Sequence, residues 1–277
     1  MMAIKHILVN LLPVRPVVTA WQFRELIIGM TKREVLGRYR ASWLGIFWSL
    51  LTPILLLLVY MFVFGVIFKA RWPQPEGLED SFAPLLFCGI IAYMTFSEIL
   101  TRSPLLIVDN ANYVKKVVFP LDILSWIAVA NALFHFFISL LVLLAFIVLS
   151  GRGLSWTLIY VPVLVGLFSI NLLGLAWLIS AASVYIRDTT YVAGFLATAL
   201  MFLSPVFYPK SAVPEQFAIV MDMNPLTFYI EAFRDVLILG RVPDLSSFLL
   251  AGFFSLLSFI VGYWFFQRVR KGFADVL

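Results

Sequence analysis

Long apolar runs separated by short polar breaks dominate this chain, and six of them, 46–68, 82–101, 123–149, 158–186, 191–207 and 247–266, predict membrane-crossing α-helices. A helix rises about 1.5 Å per residue, so about 20 largely apolar residues span the roughly 30 Å hydrocarbon core of a bilayer. The fifth run is short, and Ser204-Pro205 closes it, so it could stop within the membrane. The predicted fold class is an all-α integral membrane protein forming one domain over 1–277, with flanking segments 1–45 and 267–277 and a long outer segment, 208–246.

The polar breaks carry patterns of their own. Over 21–40, Phe23, Ile27 and Met30 form an apolar stripe surrounded by Arg24, Lys32, Arg33, Arg38 and Arg40, which predicts an amphipathic helix lying in the headgroup layer. Such a helix suits either a lipid-surface anchor or a docking face for a partner. Gly37, Ala41, Gly45 and Ser49 recur every fourth residue, as at close helix-helix contacts, although the two glycines equally suit a turn into the membrane. After the second run, Ser103-Pro104 reads as a cap and first turn, with a short helix expected over 105–113, and Pro120 and Asp122 precede the third run. In the outer segment, Pro214-Glu215 predicts the start of one short helix. Asn224-Pro225 predicts the start of a second, which Gly240 closes. Phe217, Phe228, Tyr229 and Phe233 make this segment too apolar for a free loop, so both helices are expected to dip into the outer leaflet under protein cover.

Composition agrees: 62% of residues are hydrophobic and 13% charged, against about 25% charged in a soluble domain. With the N-terminus inside, fourteen of the 20 Lys and Arg residues fall on the inner side, which places both termini in the cytoplasm. Trp43, Trp72, Trp126, Trp156, Tyr185, Tyr208 and Trp264 fall near the predicted borders, where amphipathic rings are favoured. Residues 7–12 are too short and broken for a cleavable signal, so the N-terminus is expected to be retained.

Candidate chemistry is sparse. Glu98 and Arg102, four apart near the inner end of the second run, are expected to pair, and His135, one turn from Asn131, to hydrogen-bond between helices rather than bind a metal. With His6, His135 and the single Cys88, no zinc constellation is expected. Glu76, Glu79 and Asp80, or Glu231 with Asp235, could serve an external enzyme, but their spacing specifies none. None of the 15 glycines precedes Lys, so the chain lacks the phosphate-cradling loop of P-loop ATPases.

The run from Arg33 to Trp48, followed by Pro53, resembles the start of bacterial polysaccharide ABC export permeases of the ABC-2 type, which export O-antigen, capsule or teichoic acid. The likeness continues through Phe119-Pro120-Leu121-Asp122, Arg187-Asp188, Ser204-Pro205-Val206-Phe207-Tyr208, Asn224-Pro225-Leu226, the run from Tyr263 to Arg268 and the terminal Gly272-Phe273-Ala274-Asp275-Val276-Leu277. Residues 1–19 carry no motif. The resemblance implies six spans, a homodimer in the inner membrane, and two copies of a separate ATPase that carries ATP and Mg, with no cofactor, metal or catalytic residue on this chain and no nucleic acid. It places ATPase contacts at Arg24, Lys32, Arg33, Asp109, Asn110, Tyr113 and Lys115, with Arg187 and Asp188 as further candidates. It places an external gate in the outer segment, at Pro214, Asn224, Pro225, Tyr229 and Arg234.

Lipid-linked polysaccharide, most simply O-antigen, needs a conduit through the bilayer, because an unpartnered hydroxyl costs several kcal/mol in hydrocarbon. Aromatic faces let sugars slide, which makes Trp48, Tyr60, Phe64, Phe195, Phe202 and Phe207 candidates for its lining. The rivals are an ABC-2 exporter of another lipid or a drug, a membrane-embedded transferase acting on lipid-linked glycan, and a structural scaffold.

Overall fold

The computed structural model describes residues 14–68, 82–115, 119–151 and 153–277, with Lys115 described by its backbone alone. The outer acidic group Glu76, Glu79 and Asp80, together with Trp72, Lys69, Arg71, Arg152, His6 and Lys116, lies outside them. The described residues form helices and turns, with no strand among them.

Two helices precede the first span, α1 (Val14–Gln22) and α2 (Arg24–Tyr39). The chain then turns at Gly45, whose φ of 53° lies in the left-handed region, and a short 3-10 turn leads into α3 (Trp48–Tyr60). This turn corrects the small-residue stripe: α2 stops at Tyr39, so Gly37, Ala41, Gly45 and Ser49 do not share one helix face, and Gly45 redirects the chain instead. The first span ends in a π-helical stretch, Met61–Ile67.

Next come α4 (Phe82–Arg102), a 3-10 turn at Ser103–Leu105, the short α5 (Ala111–Lys115) and α6 (Ile123–Leu149). The expected helix over 105–113 is therefore broken into turns, with regular helix confined to α5. Asp122 sits at the cap position of α6 but does not cap it through its side chain. Then follow α7 (Val161–Tyr185) and α8 (Thr189–Leu203).

The outer segment holds a 3-10 turn at Glu215–Phe217, α9 (Ala218–Met223) and α10 (Pro225–Arg234), which runs into a π-helical Asp235–Leu239. Asn224 caps α10 by accepting from Leu226 N at 3.0 Å, and Gly240 closes the segment at φ 65°. The last span is α11 (Leu245–Val269), capped by Asp244 accepting from Ser247 N, with a 3-10 turn and α12 (Phe273–Val276) behind it.

Among the described residues, five stretches are long and apolar enough to cross a membrane: Gly45–Ile67, Phe82–Leu105, Ile123–Leu149, Trp156–Tyr185 and Leu245–Val276. The helix α8 is apolar but has 15 residues, a rise of about 22 Å.

The bundle is built around α4, the least hydropathic of the five spans yet 72% buried within the protomer, while the first span is 11% buried. Hydropathy measures compatibility with lipid, so a wholly apolar helix can sit at the edge of such a bundle. The closest helix contact joins α7 to α11. A Cβ added at Gly174 would stand 2.3 Å from the Ser258 carbonyl carbon, and one at Gly262 would stand 2.1 Å from Gly174 O. Side by side, these glycines let two backbones touch. Beside them Trp177 is fully buried, its ring 5.1 Å from those of Phe259 and Tyr263, and its Nε1 donates to Asp122 O at 3.0 Å.

Candidate functional site

Three regions gather the polar and aromatic side chains. At the α2 end of the bundle, Glu34 and Arg38, four apart on α2, meet Arg102 and Glu98, four apart on α4. Arg38 pairs with Glu98, Arg102 pairs with Glu34, and Asn131 Nδ2 on α6 donates to Glu34 Oε2 at 3.2 Å. The expected Glu98–Arg102 pair is thus replaced by two crossed pairs that bind α2 to α4. Helical spacing shows which local partner is within reach, but not that α2 arrives from 60 residues away. Glu34 carried no signal of its own beyond its charge.

Most of the candidate ATPase contacts are at the surface. Lys32, Arg33, Asp109, Arg187 and Asp188 are exposed. Arg24 is also exposed, donates to Trp21 O at 3.1 Å and lies over the Trp21 ring. Asn110 Nδ2 donates to Leu106 O at 2.9 Å, and Tyr113 stacks on Phe119 with centroids 4.5 Å apart, which fixes the short α5 against the chain that follows. Just before α6, burial pushes the Asp122 carboxyl above the ordinary carboxylate range, although Arg270, 3.9 Å away, opposes the shift.

An aromatic cluster occupies the far end of α3. Phe64 stacks on Phe207 at 5.9 Å, and Tyr60, Phe68 and Phe82 also meet Phe64, while Phe202 meets Phe207 at 6.1 Å. Four of the six proposed lining residues therefore form one group. Trp48, at the opposite end of α3, and Phe195, 72% exposed on α8, stand apart from it.

The outer segment is pinned by Arg234, which is 2% exposed. Its Nε donates to Leu85 O at 2.9 Å, its Nη1 to Pro205 O at 2.6 Å and Glu231 Oε1 at 2.8 Å, and its Nη2 to Val206 O at 2.7 Å. One guanidinium thus joins α10, the first turn of α4 and the turn after α8. Room for it exists because residue 89 is glycine: a Cβ there would stand 2.7 Å from Arg234 Nη2. The resemblance places Arg234 in the external gate without showing that it pins the segment to α4. Asn224 adds a second tie, donating to Ser204 Oγ at 2.7 Å, while Tyr229 is buried against Ser255 and Leu167 O. Pro214 and Pro225 are exposed. The carboxyl of Asp235 is pushed up to about 6, first by burial and then by Glu231, against the opposing charges of Arg241 and Arg234.

Among the described residues, no group of three or more His, Cys, Asp or Glu is placed to hold a metal ion. Fold and side-chain arrangement together define a polytopic helical membrane protein tied together at both ends of its central helix. The chain belongs to the ABC-2 type transporter family, whose profile matches residues 25–238. It is 27% identical over 264 residues to an O-antigen export system permease protein RfbA of Myxococcus xanthus, covering 95% of this chain and 99% of that one. An RfbA of Klebsiella pneumoniae is 25% identical over 257 residues, covering 91% and 95%. The polysialic acid transport protein KpsM of Escherichia coli is 26% identical over 235 residues, covering 83% and 88%.

Proposed function

We propose that this chain is the membrane-spanning permease subunit of an ATP-driven exporter that moves lipid-linked polysaccharide, of the O-antigen type, outward across the bacterial inner membrane. The observation that carries the reading is the end-to-end correspondence with an O-antigen export permease, which leaves 1% of that relative unmatched. In this reading α8 completes six crossings, both termini are cytoplasmic, and two copies of the chain work with two copies of a separate ATPase. The lack of any Gly followed by Lys supports an external source of ATP hydrolysis.

The packing suggests how work on the cytoplasmic side reaches the other face. ATP-driven closure of the partner would push α2 and α5. The crossed ion pairs would pass a shift of α2 to Glu98 and Arg102 at the inner end of α4, and the same helix meets Arg234 at Leu85, about 20 Å away along its axis. The central helix then acts as a rod between the coupling surface and the outer helices, and the aromatic cluster at Phe64 and Phe207 offers apolar faces for sugar rings beside the moving end.

The test is deletion and complementation in cells that make a surface polysaccharide. Loss of the surface polymer with lipid-linked polymer accumulating inside, reversed by the wild-type chain, is expected. Unchanged surface polymer on deletion would contradict the reading. Co-isolation in mild detergent is expected to recover a stoichiometric ATPase, whereas a transferase would act on purified lipid-linked glycan without ATP or a partner.

A further inference from the structure

A cavity of about 500 Å³ lies within the single protomer, between α2, α3, α4 and α6. That volume falls within the usual range of small-molecule sites, which combine apolar walls with a few convergent polar groups. Leu56, Phe87, Ile90 and Phe136 supply apolar wall. Hydroxyls converge on it from each of its helices: Tyr39 on α2, Ser49 and Thr52 on α3, Thr95 and Thr101 on α4, and Ser139 on α6.

Several of these hydroxyls already have a use for their proton. Ser49 donates to Ile46 O at 2.7 Å, Thr95 to Ile91 O at 2.9 Å and Thr101 to Ser97 O at 2.7 Å, so each faces a ligand with acceptor capacity remaining. His135 also lines the cavity, beside the Tyr39 ring at 6.1 Å, and its Nε2 is buried without a hydrogen-bond partner among the described residues. A buried polar atom of this kind is destabilising unless something pairs with it. The formal charges on the wall, Arg38 and Glu98, are paired with each other.

We propose that this cavity binds one or two neutral pyranose units of the polymer, so that each protomer carries a sugar site in its own wall. Sugar hydroxyls donate to the threonine and serine oxygens and pair with His135, while ring C-H faces lie on the half-buried rings of Tyr39 and Tyr93. The neutralised charge pair disfavours a phosphate, and His135 Nε2, which an acyl chain would leave without a partner, disfavours an acyl chain. The position beneath the α2–α4 ion pairs puts the site where a shift of α2 would open or close it. This assignment rests on the glycan-export reading.

The test uses the full chain in nanodiscs, with delipidated oligosaccharide prepared from the expressing cells' own surface polymer as probe and saturation transfer to sugar C-H protons as readout. Wild type is expected to show transfer, and Thr52→Phe and Ser139→Phe, which fill the cavity, to weaken binding at least about tenfold. Gly166→Ala, on α7 outside the cavity and with nothing within 4 Å of the added Cβ, is expected to retain the signal, and unchanged elution size of the two filled variants controls for their folding. Equal transfer in the filled variants would overturn the site. So would phospholipid, measured by mass spectrometry, bound to wild type and released by Thr52→Phe while the sugar signal stays constant. Neither outcome touches the export reading, which deletion and complementation test separately.

Discussion

At the scale of single residues, Arg234 is the side chain on which most depends. Lysine keeps the charge but cannot reproduce a planar fork donating to three carbonyls and a carboxylate, so Arg234→Lys is expected to cost about 2 kcal/mol or more, read as a lowered thermal midpoint of the purified chain. An unchanged midpoint would remove Arg234 as the pin. Asp235 gives a prediction in pH. Its folded value of about 6 lies above its ordinary 3.8, so the folded state holds the proton more tightly. Its contribution is greatest below pH 3.8 and is lost as pH rises through about 6. Wild type should therefore lose thermal stability relative to Asp235→Asn across that window, and parallel curves would refute the assignment. Glu231, Arg241 and Arg234 are the charges that act on Asp235. The sequence exposed the presence of these groups but not their partners. The resemblance names Arg234 as a gate residue, but nothing local shows that Leu85, 149 residues earlier, presents its carbonyl to it.

Among the elements, the α7–α11 contact has the least tolerance. Gly174→Ala or Gly262→Ala places a methyl group against backbone, where no side chain can move aside, and overpacking of this kind costs about 1–3 kcal/mol. Melting in detergent should show it, while Gly166→Ala on the same α7, with nothing within 4 Å of the added Cβ, should melt as wild type. The crossed pairs between α2 and α4 behave differently. Their side chains are partly exposed, and such pairs contribute about 0–1 kcal/mol, so they set register more than stability. Arg38→Glu is expected to reduce surface polymer with little change in melting, and the double exchange Arg38→Glu with Glu98→Arg to restore it. Failure of the double exchange would mean that the pair does not carry the coupling. The long helices were legible because twenty apolar residues have few alternatives to helix in a bilayer, and the Asn224 cap and Gly240 stop because each acts within a few residues. The bend at Gly45 was legible as one of two readings, and α2 ending at Tyr39 decided it. That α4 forms the centre was not legible, since the hydropathy that marks a span runs against burial here.

For the molecule as a whole, family membership and export class follow from an ordered set of short motifs spread from Arg33 to Leu277, no one of which would suffice. In the proposed account, coupling runs through pairings between distant elements: Arg38 with Glu98 at one end of α4 and Arg234 with Leu85 at the other. These create the proposed rod, and a sequence read segment by segment does not contain them. The measurement that bears most directly on the account is reconstitution of the purified chain with the ATPase expected to co-isolate with it, in liposomes holding lipid-linked polysaccharide in the ATPase-facing leaflet. The account predicts that ATP moves the glycan to the opposite side, and that Arg234→Lys slows translocation more than it slows ATP hydrolysis. Translocation that proceeds equally without ATP, or hydrolysis that never moves glycan in the wild-type complex, would contradict it.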